Sequence, residues 1–157
     1  MRILAISDSH KRGDIIEKIL YNQKDAAHVF FLGDLASDIE DFIYLFPEKR
    51  FHILSGNCDY FSTFPSSDIA NINGKKIFYT HGHTLGVKSS TSHLLQHAKQ
   101  SGCDIALFGH THNPLISYED GVYLVNPGSC GAPRGGKATY AVIDIENNGV
   151  MPIIIEV

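Results

Sequence analysis

At 157 residues the chain is one domain's length, residues 1–157, with enough material to bury a substantial core. Its formal charge of −4 argues against an extended nucleic-acid-binding surface, and no apolar run is long enough to span a membrane. Three cysteines without a spacing pattern fit a reducing, cytoplasmic setting, and the first strand begins too early for a signal peptide to precede it.

The chain opens on Arg2-Ile-Leu-Ala-Ile, an apolar run of buried-strand length that stops in Asp8-Ser-His10. Asp8 and His10 have the same parity, so a persisting extended conformation points both to one side, where they make half of a first-row metal site. Asp14-Ile-Ile-Glu17 reads as an N-cap with a Glu three residues on, followed by a helical stripe of Ile15, Ile16, Ile19 and Leu20. His28 to Leu32 is a second strand and ends in Gly33-Asp34. Ser37-Asp-Ile-Glu40 reads as a capping box opening one helix, with Ile39, Phe42, Ile43 and Phe46 on its inner face and Pro47 as its stop. Phe51 to Leu54 is a third strand, running into Ser55-Gly-Asn-Cys-Asp59. Strand, helix, strand, helix, strand predicts a parallel sheet with right-handed crossovers.

The second half is richer in hairpins. Asn73-Gly74 joins Ile69–Ile72 to Ile77–Tyr79, and the returning strand ends in Thr80-His81-Gly82-His83. A helix follows with Leu94, Leu95 and Ala98 inward and Gly102 at its stop. Asp104 to Phe108 is a strand ending in Gly109-His110-Thr111-His112. Hairpins at Asp120-Gly121 and Asn148-Gly149 close the chain. The expected architecture is one α/β domain with a parallel-rich first sheet and a hairpin-rich second, packed face to face with helices outside.

Asp8, His10, Asp34, Asn57, His81, His110 and His112 therefore all fall just past strand ends, where α/β sheets place their ligands. Taken singly, Asp34 reads equally as a helix cap, Asn57 as a turn residue and His81 as a satisfied core histidine. Taken together they form a metal-ligand set. Seven donors exceed a tetrahedral zinc site and suit two ions of higher coordination sharing a bridge. Asp34, behind a glycine, is the candidate bridge. Imidazole, carboxylate and amide oxygen favour Mn, Fe, Co, Ni or Zn over Mg or Ca.

Asp8-x-His10, Gly33-Asp34, Gly56-Asn57, His81 and Gly109-His110-x-His112 resemble the five signature blocks of calcineurin-like metallophosphoesterases. Thr-His-Gly-His, Gly-His-Thr-His and Asn126-Pro-Gly-Ser129 are similar to the small prokaryotic YfcE-type phosphodiesterases in particular. The resemblance covers essentially the whole chain. It implies a four-layer αββα sandwich of two mixed sheets flanked by helices, and a dinuclear centre, often of manganese. By the match, Asp8, His10, Asp34 and His112 hold one ion, and Asp34, Asn57, His81 and His110 the other. Many members of the wider superfamily carry a leaving-group histidine after the Asn; here that position is Cys58, as in the YfcE-type group.

Metal-assisted phosphoester hydrolysis follows, with Asp8, Asp34, Asn57 and His81 as the candidate catalytic residues. Lys11, Arg12, His83 and Arg134 are candidate contacts to a small phosphoester or nucleotide-like substrate; His83 is the best candidate for a substitute acid, and a plain loop histidine is its more ordinary reading. Solvated surface charge is the plain alternative for the three cations. The rival functions are a nucleotide pyrophosphohydrolase or nuclease on the same centre, and a protein-binding scaffold resembling the eukaryotic retromer subunit. A homo-oligomer is compatible with everything in the sequence.

Overall fold

The computed structural model describes residues 1–146 and 149–157. β1 (Arg2–Ile6) sets the layering. Ile3 and Ala5 face a second sheet, while Leu4 and Ile6 face an outer helix. That alternation follows from the two-residue period of an extended chain. α1 (Gly13–Asn22) buries Ile16, Ile19 and Leu20 against the outer face, and the chain returns through β2 (Ala26–Phe31). Two single helical turns, α2 (Ser37–Glu40) and α3 (Phe42–Leu45), lead to β3 (Arg50–Ile53). β1, β2 and β3 are parallel, so their carboxyl ends lie on one edge.

The second sheet starts with the hairpin of β4 (Ser67–Ile72) and β5 (Lys75–Thr80), turning at Asn73 and Gly74 with positive φ at both, as a tight two-residue hairpin demands. α4 (Ser92–Gln100) crosses to β6 (Ile105–Phe108), parallel to β5. β7 (Pro114–Glu119) and β8 (Val122–Pro127) form the next hairpin, and β9 (Thr139–Glu146) and β10 (Gly149–Glu156) pair antiparallel at the end. The sheet orders are β10-β9-β1-β2-β3 and β4-β5-β6-β8-β7. Phe30, Leu32, Ile77, Tyr79, Ile105 and Leu107 fill the space between the sheets. Leu94 and Ala98 of α4 cover the outer face of the second sheet through Phe78, Ala106 and Phe108. The result is the expected four-layer arrangement with few helices.

Three local expectations are corrected. Asp14 does not cap α1: the helix begins at Gly13, and the Asp14 carboxylate turns back to take both Arg12 guanidinium hydrogen bonds. The helix expected from Ser37 is broken at Asp41 into two turns, neither closed by a side-chain cap, and Ile43 lies exposed while Ile39 and Phe46 are buried. Each sheet holds two parallel and two antiparallel pairings, because the C-terminal hairpin joins the first sheet alongside β1. Asn148, half of the expected closing turn, lies outside the described residues.

Phe30 is the hub of the inter-sheet layer, fully buried, stacked on His52 at 4.3 Å and meeting Tyr79 edge-on at 4.9 Å. Phe30→Ala is expected to cost about 3–5 kcal/mol, the range for emptying a buried aromatic site. Urea unfolding measures it, and a loss below about 1 kcal/mol would show that the layer recloses.

Candidate metal centre

β1, β2 and β3 of one sheet and β5 and β6 of the other end on the same side of the sandwich. Ligand-bearing loops therefore meet there without any long connection. The loops are not extended. Asp8, His10, Lys11, Asp34, Leu35, His110 and His112 all have positive φ, between 46° and 73°. The parity argument for Asp8 and His10 thus fails in its premise, since β1 stops at Ile6. Left-handed residues, not a continuing strand, turn both side chains inward.

Asp8, His10, Asp34 and His112 each offer one ligand atom, and these atoms lie within 4.8 Å of one another. Asp8 is fully buried. Its Oδ2 accepts from the Ser7 hydroxyl and from the His110 backbone N–H at 3.1 Å. Its Oδ1 is buried without a hydrogen-bond donor, 3.1 Å from His112 Nε2. His112 Nδ1 lies 2.6 Å from the Ala132 carbonyl, which can only accept, so Nδ1 carries the proton and Nε2 presents a lone pair. A lone pair thus faces a carboxylate oxygen. His10 Nε2 lies 3.4 Å from His112 Nε2 and 3.7 Å from Asp34 Oδ2.

The same conflict recurs one step away. His81 Nδ1 donates to the Leu32 carbonyl at 2.7 Å. Its Nε2 lone pair then faces Asn57 Oδ1 at 3.2 Å and Asp34 Oδ1 at 3.4 Å. His110 stands beside it, ring centroids 5.0 Å apart. The two Asp34 oxygens therefore look toward different histidines, His10 and His81. Acceptors converging on acceptors are unfavourable unless a cation or a proton lies among them. The donor set fits a divalent ion.

Without an ion, part of the conflict is met by protons. A proton added at His112 Nε2 would be donated to Asp8 Oδ1, and that interaction raises the imidazole against the opposing effect of burial. For Asp8, burial is the largest effect and pushes upward, but His112, His81 and Ser7 together hold the carboxyl below its ordinary value. His110 is pushed down to about 4 by burial, then by His81 and Lys88, which leaves it neutral with a lone pair to offer at pH 7.

Glycines allow the loops to interlock. A Cβ on Gly56 would strike the Asp34 carboxylate and backbone nitrogen, and one on Gly109 would strike Ser7 and Asp8. Carboxylates behind the site fix the loops. Asp59 accepts from the backbone N–H groups of Asp34 at 3.0 Å, Ala36 at 2.8 Å and Gly56 at 2.7 Å. Asp38 accepts from the Ser9 hydroxyl and the Lys11 N–H, both at 2.7 Å. Sequence reasoning missed both roles: Asp38 was absorbed into the capping box, and nothing local marks Asp59. The buried Asn126 and Ser129 brace the far side, through the Gly109 and Asp8 carbonyls.

The remaining candidates scatter. Arg12 is engaged by Asp14. The Lys11 side chain is exposed, and Arg134 lines a cavity with Lys88. His83 sits 5.4 Å from His81 and 6.1 Å from His110, ring to ring. Its Nδ1 is buried without a partner, and burial followed by His81 lowers its pKa, so it is neutral at pH 7. The Cys58 thiol accepts from the Asn57 amide and is pushed up to about 11 by burial, then by Asp34.

A sandwich with this centre on its strand-end edge is a metallophosphoesterase arrangement. Residues 1–148 match the calcineurin-like phosphoesterase superfamily domain, and the chain belongs to that family. It is 30% identical over 151 residues to the probable metallophosphoesterase YsnB of Bacillus subtilis, covering 94% of this chain and 86% of that one. It is 26% identical to the phosphodiesterase YfcE of Escherichia coli, covering 98% and 91% respectively. A crystal structure from Streptococcus pneumoniae, of a conserved protein described as a predicted phosphoesterase, superposes with a TM-score of 0.85 at 26% identity, over 99% of this chain and 88% of that one. Vacuolar protein sorting-associated protein 29 of Schizosaccharomyces pombe is also similar, 31% identical over 85% of this chain and 75% of its own.

Gly56→Ala should displace Asp34 and raise the Kd for Mn2+ by about tenfold or more, the scale of a disturbed ligand. Isothermal titration measures it, and unchanged affinity would remove Asp34 from the ligand set.

Proposed function

We propose that residues 1–157 form one catalytic unit, a phosphodiesterase that works with two divalent ions, Mn2+ first and Ni2+, Fe2+, Co2+ or Zn2+ as alternatives. The supporting observation is the pair of histidines whose Nδ1 protons are committed to main-chain carbonyls while their Nε2 lone pairs face carboxylate oxygens. Asp8, His10, Asp34 and His112 would hold one ion, and Asp34, Asn57, His81 and His110 the other, with Asp34 shared. Bound there, divalent ions acidify a water toward neutrality and neutralise charge on the phosphoryl oxygens. The protein's part is orientation. Asp8 is held by Ser7 and the His110 N–H, and Asp34 by the Cys58 N–H at 3.0 Å. Three free cysteines fit a cytoplasmic setting.

Likeness to a sorting-associated protein favours a second reading, a binding scaffold. The full donor set argues against it, and the same measurements decide. Reconstitution with Mn2+ followed by desalting and elemental analysis should give two ions per chain, and Asp34→Asn should cut kcat by about 100-fold or more. Lys11→Ala should raise KM modestly. One ion or fewer at full activity, or an active Asp34→Asn, would refute the shared-carboxylate assignment.

The leaving group is the open end of the reaction. A placed general acid contributes about 10²–10⁴-fold, chiefly for alcohols that must be protonated as they depart. Cys58 stands where an acid would be sought, and a neutral His83 offers no ready proton. Aryl diesters should therefore be cleaved well and dialkyl ones poorly. A plot of log kcat/KM against leaving-group pKa is expected to be steep in wild type and in His83→Ala alike. A shallow wild-type slope that steepens in the variant would make His83 the acid.

A further inference from the structure

The phosphoester reading leaves unassigned a cavity of about 460 Å³ beside the His110–His112 loop. Its wall includes Lys88, Arg134, Thr91, Thr111 and Asn113, and no acidic side chain lines it. Thr111, between His110 and His112 in the chain, is part of its wall, so the cavity adjoins the loop that carries those two candidate ligands. Lys88 and Arg134 line the same cavity, and both are exposed to solvent. Among the described residues neither cation has a carboxylate partner, so both charges are free to meet an anion; in this they resemble Lys11 and Arg50 and differ from Arg2, Arg12, Lys75, Lys99 and Lys137. The Asp34–Asn57 side of the centre is the reverse: a cavity of about 280 Å³ there carries Glu40 and Asp59 among its lining residues.

We infer that Lys88 and Arg134 form a subsite for a second phosphate group on the substrate, so that the preferred ester carries one phosphate at the metal centre and another on the substituent lying along the His110–His112 loop. This rests on the phosphodiesterase reading. Two adjacent cations, one of them a planar guanidinium with several donors, suit a dianionic phosphate better than a single charge. An acidic protein repels such a substrate elsewhere, so two unpaired cations beside the centre also set its orientation on approach. Volume agrees, since the cavity exceeds what one phosphate needs and leaves space for its carrier.

Three p-nitrophenyl diesters sharing one leaving group test this on the Mn2+-reconstituted full chain: the 2-phosphoethyl, 2-carboxyethyl and 2-hydroxyethyl esters. Wild type is expected to prefer the phosphoethyl over the hydroxyethyl ester by about tenfold or more in kcat/KM, the scale of hydrogen bonds to a charged group. In the exposed-site double variant Lys88→Ala/Arg134→Ala that ratio should fall to near one, and Lys88→Arg should retain it. A wild-type ratio near one, or a ratio indifferent to the double variant, would overturn the subsite. Equal preference for the carboxyethyl ester would overturn its assignment to phosphate. Absence of turnover with all three esters would overturn the phosphodiesterase reading and this inference with it.

Discussion

Two main-chain carbonyls govern the chemistry of this molecule. The Leu32 oxygen takes the Nδ1 proton of His81 and the Ala132 oxygen that of His112. Each imidazole is thereby fixed in one tautomer, its other nitrogen turned onto a carboxylate that also has only lone pairs to give. Leu32 follows β2 at the end of the first sheet, while His81 follows β5 in the second, so the hydrogen bond that selects the tautomer also ties the two sheets at their common edge. Fold and ligand chemistry share that bond.

Holding acceptors together has a cost that the rest of the structure offsets. Among the described residues nine non-glycine residues have left-handed backbone, and seven of them lie in the loops that carry the candidate ligands; the other two, Asn73 and Asp120, sit in hairpin turns where such geometry is routine. Each such residue costs of order 1–3 kcal/mol and persists only when its surroundings leave it no alternative. Asp59, with three backbone N–H groups on its carboxylate, and Ser129, clasping Asp8 and Ala132, are what over-determine the loops here. Behind them the central strands β1 and β6 are packed on both faces, which makes the frame stiff enough to bear the strain.

Much of this was legible in the residues, and the failures have specific causes. Strand cores show because Ile3-Leu4-Ala5-Ile6 is apolar at every position, as a strand covered on both faces must be. The candidate ligand positions show because they follow those strands. Asp8 and His10 do lie together in the candidate cluster, but not by the parity of an extended chain, since spacing says nothing about φ and the backbone there is left-handed. Ser37 and Asp38 looked like a cap because a short polar residue before an apolar one has that appearance, yet Asp38 serves the His10 loop. Membership of β9 and β10 in the first sheet depends on β1 accepting a partner some 140 positions away, Leu4 opposite Val142, and no local pattern carries that information. Lys88 was unremarkable in sequence for the same reason: its neighbour Arg134 is near only in the fold.

Fold alone does not separate an esterase from a binding scaffold, since one architecture carries many functions. Energetics does more. A scaffold working through its outer surface gains nothing from Asp8 Oδ1 buried without a donor, or from two lone pairs aimed at carboxylates, and either feature would be relieved by an apolar or hydrogen-bonding replacement. Departures from local consistency of this kind concentrate where function requires them. Here they lie on the residues that a divalent cation would satisfy, so the cost is concentrated at the strand-end edge, where the candidate metal centre sits.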